Sequence, residues 1–135
     1  MDHIAIMSKQ FGDLIPKILD GRKKIESRWS KNKIVPWDRV RPSDTIYFKN
    51  SGRLVTAKAT VSKILQFDSL DPAKVKKILD KWPLVSYEWA KNKRYCTLIF
   101  LKNPQKTIPF KINKTGFGSA AAWLCVEDIE KVKVQ

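Results

Sequence analysis

The chain has a single histidine, His3, among 135 residues. That scarcity excludes a His-based catalytic triad and a conventional zinc site, both of which depend on imidazole groups. Its thirteen acidic residues are scattered and form no paired-carboxylate motif, so neither a metal nor a cofactor is expected. Two cysteines, Cys96 and Cys125, sit among apolar neighbours and read as reduced core thiols rather than a disulfide. No apolar run approaches the roughly 20 residues of a membrane span. Residues 1–7 lack the basic region and cleavage site of a signal peptide. The expectation is one cytoplasmic domain over residues 1–135, without membrane contact, internal repeats or low-complexity segments.

Acid is absent where base is dense. Residues 91–114 hold seven Lys or Arg and no acid, and residues 21–63 hold twelve against three. The remainder has eight basic and ten acidic residues, so two tracts account for the whole formal charge of +14. A lysine-rich thermophile-style surface balances Lys with Glu, and this one does not. If the tracts adjoin in the fold they make one positive face, the footprint of a polyanion partner such as nucleic acid.

Phe11, Leu14, Ile15, Ile18 and Leu19 have the spacing of an amphipathic helix over residues 13–20, and Gly21 supplies the left-handed residue that ends it. Ile25, Ser27 and Trp29 then alternate with Lys24, Glu26 and Arg28 as in a strand. Val55, Ala57, Ala59 and Val61 alternate with polar residues, and their small size suits a curved wall. Asp71 and Pro72 open a helix with Val75, Ile78, Leu79 and Trp82 as its buried stripe. Residues 84–92 read as a further short helix and residues 95–101 as a central strand. Residues 107–112 read as a separate edge strand marked by Pro109, and residues from Trp123 onward as a strand or short helix. Strands with a few helices and no sustained βαβ order define an α+β class.

Glu26 and Arg28 project from one strand face, roughly 7 Å apart, with Lys23 at the mouth. Standing alone, such charges read as an exposed paired face of little energetic weight. A lysine beside a carboxylate can also act as base or nucleophile, and the arginine can fix Glu26 or hold a phosphate.

Gly21, Lys23, Glu26 and Arg28 match the Gly-x-Lys-x-x-Glu-x-Arg signature of the ASCH domains, and the chain resembles that family over most of its length. The resemblance implies a small PUA-like β-barrel with flanking short helices and an RNA-related role. Some ASCH proteins are amidohydrolases that deacetylate N4-acetylcytidine, using the motif lysine; that branch has threonine where this chain has Glu26. Glu88 is the only acid in the region where that branch places a distal catalytic glutamate. Other members cleave RNA. The resemblance therefore makes Lys23 and Glu26 candidate catalytic residues and Arg28 a ligand contact.

Further ligand contacts are expected from Lys31 and Lys33 in a basic loop and from Lys49. The 113–119 loop adds Lys114, Gly116 and Ser119, whose glycines permit close approach to a phosphate or base. It is not a Walker loop, because the residue order is wrong. Trp29 and Trp37 flank the basic loop and are candidate stacking platforms for single-stranded RNA. Trp82 and Trp123 are assigned to the core. The expected ligand is single-stranded RNA or a modified nucleoside.

Overall fold

The computed structural model describes residues 1–118 and 121–134. Six strands form one sheet: β1 (Asp2–Met7), β2 (Ile25–Ser30), β3 (Thr45–Asn50), β4 (Val55–Phe67), β5 (Tyr95–Phe110) and β6 (Trp123–Val126). Their order is β2-β5-β4-β3-β1-β6, with β1 and β3 parallel and the other neighbours antiparallel. Three short helices, α1 (Ile15–Leu19), α2 (Pro72–Lys81) and α3 (Tyr87–Ala90), complete the α+β architecture among the described residues.

Curvature comes from β4 and β5. Val55, Ala57, Ala59 and Val61 are all essentially inaccessible, but they do not share one face as their alternation predicts: Ala57, Ala59 and Val61 line the interior, and Val55, across a register shift, joins the outer cluster. The β4–β5 register shifts three times, between Val55 and Ala57, Lys58 and Thr60, and Val61 and Lys63. Each irregularity of this kind bends and twists the ladder. The sheet consequently curls into a half-barrel whose interior holds Ala5, Ile46, Phe48 and Trp123, with Ile15 and Ile18 of α1 packed against it. A second cluster lies on the outer face, where Ile112, Ile129 and Val132 cover Ile4, Ile6 and Val55. Under α2 and α3 a third cluster gathers Trp29, Val75, Ile78 and Leu98.

Helix α2 begins as its sequence dictates. Asp71 accepts a hydrogen bond from the Lys74 N–H at 2.8 Å, and Pro72 occupies the first position. Gly21, at φ 83°, follows α1 in the left-handed region. That helix is shorter than its periodicity predicts, because Gly12 (φ 76°, ψ −171°) separates Phe11 from it. Phe11 instead lies in a 3-10 turn and packs edge-on against Trp89, with centroids 5.3 Å apart. The two strands expected over residues 95–101 and 107–112 are one, β5, with the left-handed Asn103 (φ 52°) and Pro104 within its run. Its first half is central, paired to both β2 and β4, and its second half pairs only with β4. Trp123 opens a strand and is buried, whereas Trp82 is half-buried at the edge of the third cluster.

Candidate ligand-binding cleft

Strand β2 is an edge strand, and its register sets Glu26 opposite Ile99 and Arg28 opposite Thr97. Ile99 belongs to the barrel interior, so Glu26 and Arg28 turn toward the mouth of the half-barrel. Lys23 lies just before the strand, where its ammonium donates to the Ile25 carbonyl at 2.7 Å. Lys23, Glu26 and Arg28 share a cavity of about 330 Å³ with Met7, Phe11 and Trp89. That volume is in the range of small-ligand sites. A larger depression of about 660 Å³, around Lys9, Asp13 and Arg53, contains none of the three.

Glu26 is only 5% exposed. Its Oε1 stands 3.7 Å from Arg28 Nε, yet Glu26 Oε2 and Arg28 Nε have no hydrogen-bond partner among the described residues. Arg28 is otherwise committed: it donates to the Ala122 carbonyl at 3.3 Å and the Ile6 carbonyl at 3.4 Å. Its guanidinium carbon lies 5.1 Å from the Trp123 ring centroid. Arg28 thus reaches from the β2 edge to β1 and the segment entering β6, bridging the open side of the half-barrel. The arrangement leaves one carboxylate oxygen in a partly apolar cavity as an acceptor without a donor, which is costly unless a ligand supplies one.

A second depression of about 350 Å³ shares Arg28 and Trp29 with the first. Trp37 and Tyr95 line it edge to face, with centroids 5.2 Å apart, and the Lys33 ammonium lies 5.9 Å from the Tyr95 ring. Lys31 and Lys33 are exposed in the loop beside it. Trp29 is 8% exposed and its indole N–H donates to Ser27 Oγ at 3.0 Å. It is therefore a wall between the depressions, and Trp37 and Tyr95 are the more accessible rings.

The remaining expected contacts are not gathered at this cleft. Lys49 pairs in register with Ile6 and Val55, both of the outer cluster, and so faces away from the barrel interior. Lys114 and Gly116 lie in the segment after Ile112 and line neither depression, and Ser119 lies outside the described residues. Glu88 is exposed on α3 and pairs with Lys91 at 2.7 Å, so it does not line the cavity. The two basic tracts do adjoin. The β2–β5 and β4–β5 ladders set Thr60 against Lys102 and Ala57 against Lys106, and the Arg94 N–H donates to the Ser30 carbonyl at 2.9 Å.

Sequence reasoning passed over His3, which is fully buried. Trp123 Nε1–H donates to His3 Nδ1 at 3.1 Å, and His3 Nε2 faces Asp44 Oδ2 at 2.8 Å. An indole nitrogen only donates, so the imidazole proton sits on Nε2 and points to the carboxylate. Burial holds the His3 pKa below its ordinary value of 6.5, against the opposing pull of Asp44. Burial pushes Asp44 upward, but hydrogen bonds from His3 and the Arg41 amide outweigh it and leave its pKa below the ordinary 3.8. This chain of contacts ties β1, β3 and β6 together; it is structural glue at the back of the cleft. Both cysteines are free, and burial raises the thiol pKa of Cys96.

No protein-family model and no curated protein matches the chain. Among solved structures, its curled sheet is similar to that of ASCH proteins. An ASCH protein from Zymomonas mobilis superposes with a TM-score of 0.68 at 16% identity, covering 96% of this chain and 90% of that one. A tyrosine-to-phenylalanine mutant of that protein gives 0.68 at 15% identity, covering 96% and 93%. The chain has the fold of an ASCH domain.

Proposed function

We propose that the cleft reads a nucleobase of single-stranded RNA, with the adjoining basic tracts contacting the phosphates. The observation that carries this reading is the unpartnered Glu26 oxygen in the 330 Å³ cavity. A carboxylate acceptor is matched by the exocyclic amino group of cytosine. The accessible Trp37–Tyr95 pair offers the neighbouring base a stacking surface, and Lys31 and Lys33 stand beside it to meet the backbone.

Binding should be salt-sensitive, log K falling by about 0.7 per phosphate neutralised for each tenfold rise in salt. Short oligocytidine should bind more tightly than oligouridine, and Glu26→Gln should narrow that gap by about tenfold. Titration of both oligomers at 50, 100 and 200 mM salt measures all three. Affinity flat in salt, or an equal preference that Glu26→Gln leaves unchanged, refutes the reading.

A second reading is hydrolysis, of N4-acetylcytidine or of RNA, favoured by the placement of Lys23 and Glu26 in one cavity. Chromatography of each substrate after incubation, beside a Lys23→Ala control, decides it. Product lost in the control makes Lys23 catalytic, whereas no product with RNA affinity retained leaves the cleft a reader.

A further inference from the structure

The depression of about 660 Å³ around Lys9, Asp13 and Arg53 has no part in the reading above, yet it abuts the cleft. Residues 8–15 part the two, and their side chains divide between them. Ser8, Gln10, Phe11 and Leu14 line the cleft, and Lys9, Gly12, Asp13 and Ile15 line the depression. Met7, at the end of β1, borders both. Arg28 and Trp29 are likewise shared between the cleft and the Trp37–Tyr95 depression. The three hollows therefore form a series, with the cleft in the middle and a common wall at each junction.

Their chemistry differs. Aromatic rings line the first two, Trp37 and Tyr95 in one and Phe11 and Trp89 in the other. The third has no ring on its walls among the described residues, so it offers a base nothing to stack on. It has two cations instead, Lys9 from the 3-10 turn and Arg53 from the turn between β3 and β4. That second turn is anchored, the Arg53 N–H donating to the Asn50 carbonyl and the Ser51 N–H to the Met7 carbonyl, each at 3.0 Å. Both cations are exposed, and neither side chain enters an ion pair or hydrogen bond among the described residues, whereas Arg22 and Arg41 pair with Asp20 and Asp38. The one carboxylate on these walls is engaged: Asp13 Oδ1 accepts from Asn50 Nδ2 at 3.0 Å and from the Ile15 N–H at 3.3 Å. Ser51 and Thr56 add hydroxyls. Cations beside hydroxyls, with no ring, are the groups that hold a sugar-phosphate backbone.

We infer, on the reading that the cleft takes RNA, that the Lys9–Arg53 depression holds backbone phosphates of the same strand. A strand laid through the series stacks one base on Trp37 and Tyr95 and presents another to Glu26. It then passes Met7 and sets its phosphates against Lys9 and Arg53. The bound segment is thus longer than the two bases met by the rings.

The test compares hexacytidine, long enough to reach the depression, with dicytidine, which fills only the two ring-lined hollows. Each is titrated at 50, 100 and 200 mM salt against intact wild type, Lys9→Gln/Arg53→Gln and Lys76→Gln/Lys77→Gln. The last variant removes the same charge from exposed positions on α2 that line none of the three hollows. All four side chains are exposed, so the urea midpoints of both variants should match wild type. A phosphate contact is worth about fivefold at 0.1 M salt, so Lys9→Gln/Arg53→Gln should weaken hexacytidine by about 25-fold and lower the salt slope by about 1.4. The same variant should bind dicytidine within about twofold of wild type, and Lys76→Gln/Lys77→Gln should bind hexacytidine within about twofold. Equal effects of the two variants on hexacytidine, whether losses or none, overturn the inference and leave the cleft reading standing. A dicytidine loss as large as the hexacytidine loss does the same. Hexacytidine that fails to bind wild type at any salt overturns the cleft reading and the inference together.

Discussion

Replacing Arg28 with methionine should be among the most damaging single changes in β2. The substitution keeps an unbranched apolar stem and removes only the guanidinium. Two carbonyls, Ile6 and Ala122, lose donors at 3.4 and 3.3 Å, long contacts worth about 0.5 kcal/mol each. The cation over Trp123 adds about 0.5–1 kcal/mol. The largest loss belongs to Glu26, 5% exposed and left without its ion-pair partner 3.7 Å away. At an effective dielectric of about 20 that attraction is about 4–5 kcal/mol, against a desolvation cost that remains when the partner is removed. The losses overlap, and a net destabilisation of about 4 kcal/mol is expected. With a urea m-value of about 1.5 kcal/mol/M, the unfolding midpoint should fall by two to three molar. Adding Glu26→Gln to Arg28→Met should recover about half of the loss, because the stranded charge goes with it. A cost below about 1 kcal/mol for Arg28→Met, or a double variant weaker than the single, refutes the view of Arg28 as the bridge across the open barrel.

Other outcomes follow from the same contacts. The folded His3 pKa is lowered, so between that value and the unfolded 6.5 the unfolded chain binds the extra proton and stability falls as pH falls. Urea titrations from pH 7 to 5 should show wild type losing more stability than His3→Asn; parallel curves would contradict a buried neutral imidazole. Asp71→Ala should cost about 1 kcal/mol by uncapping α2, measured by the urea midpoint, and a neutral result would mean the helix is held by its apolar stripe alone.

Much of this molecule is legible in its residues. The β4 alternation, the Asp71 cap and the Glu26–Arg28 pairing on one face all depend on local spacing, and local spacing is what a sequence displays. Arg28 is different. Its spacing places it beside Glu26, but its partners are carbonyls at Ile6 and Ala122, and nothing local signals a contact between positions 28 and 122. Lys49 reads as a ligand contact, and its burial has no local signal, because the outer cluster on its side of the sheet includes Ile112, more than sixty residues later. The continuity of β5 has no local signal, because Asn103 (φ 52°) and Pro104 are poor strand residues that the irregular ladder accommodates. His3 carried no signal at all, since its partners Asp44 and Trp123 are 41 and 120 positions away.

The parallel β1–β3 pair, with β6 on the other side of β1, has a consequence for the order of events as the chain emerges from a ribosome. Strands β2 to β5 form a continuous antiparallel ladder and can assemble once Phe110 is available. The first strand finds only one of its two neighbours by then. Its second edge, including the Ile6 amide that donates to the Ala122 carbonyl at 3.0 Å, stays bare until β6 arrives. Arg28 takes one of its two carbonyl anchors, Ala122, from the segment entering β6, so the binding cleft acquires its final wall as the last strand docks. A nascent chain halted before Trp123 would therefore hold much of the sheet and no finished cleft.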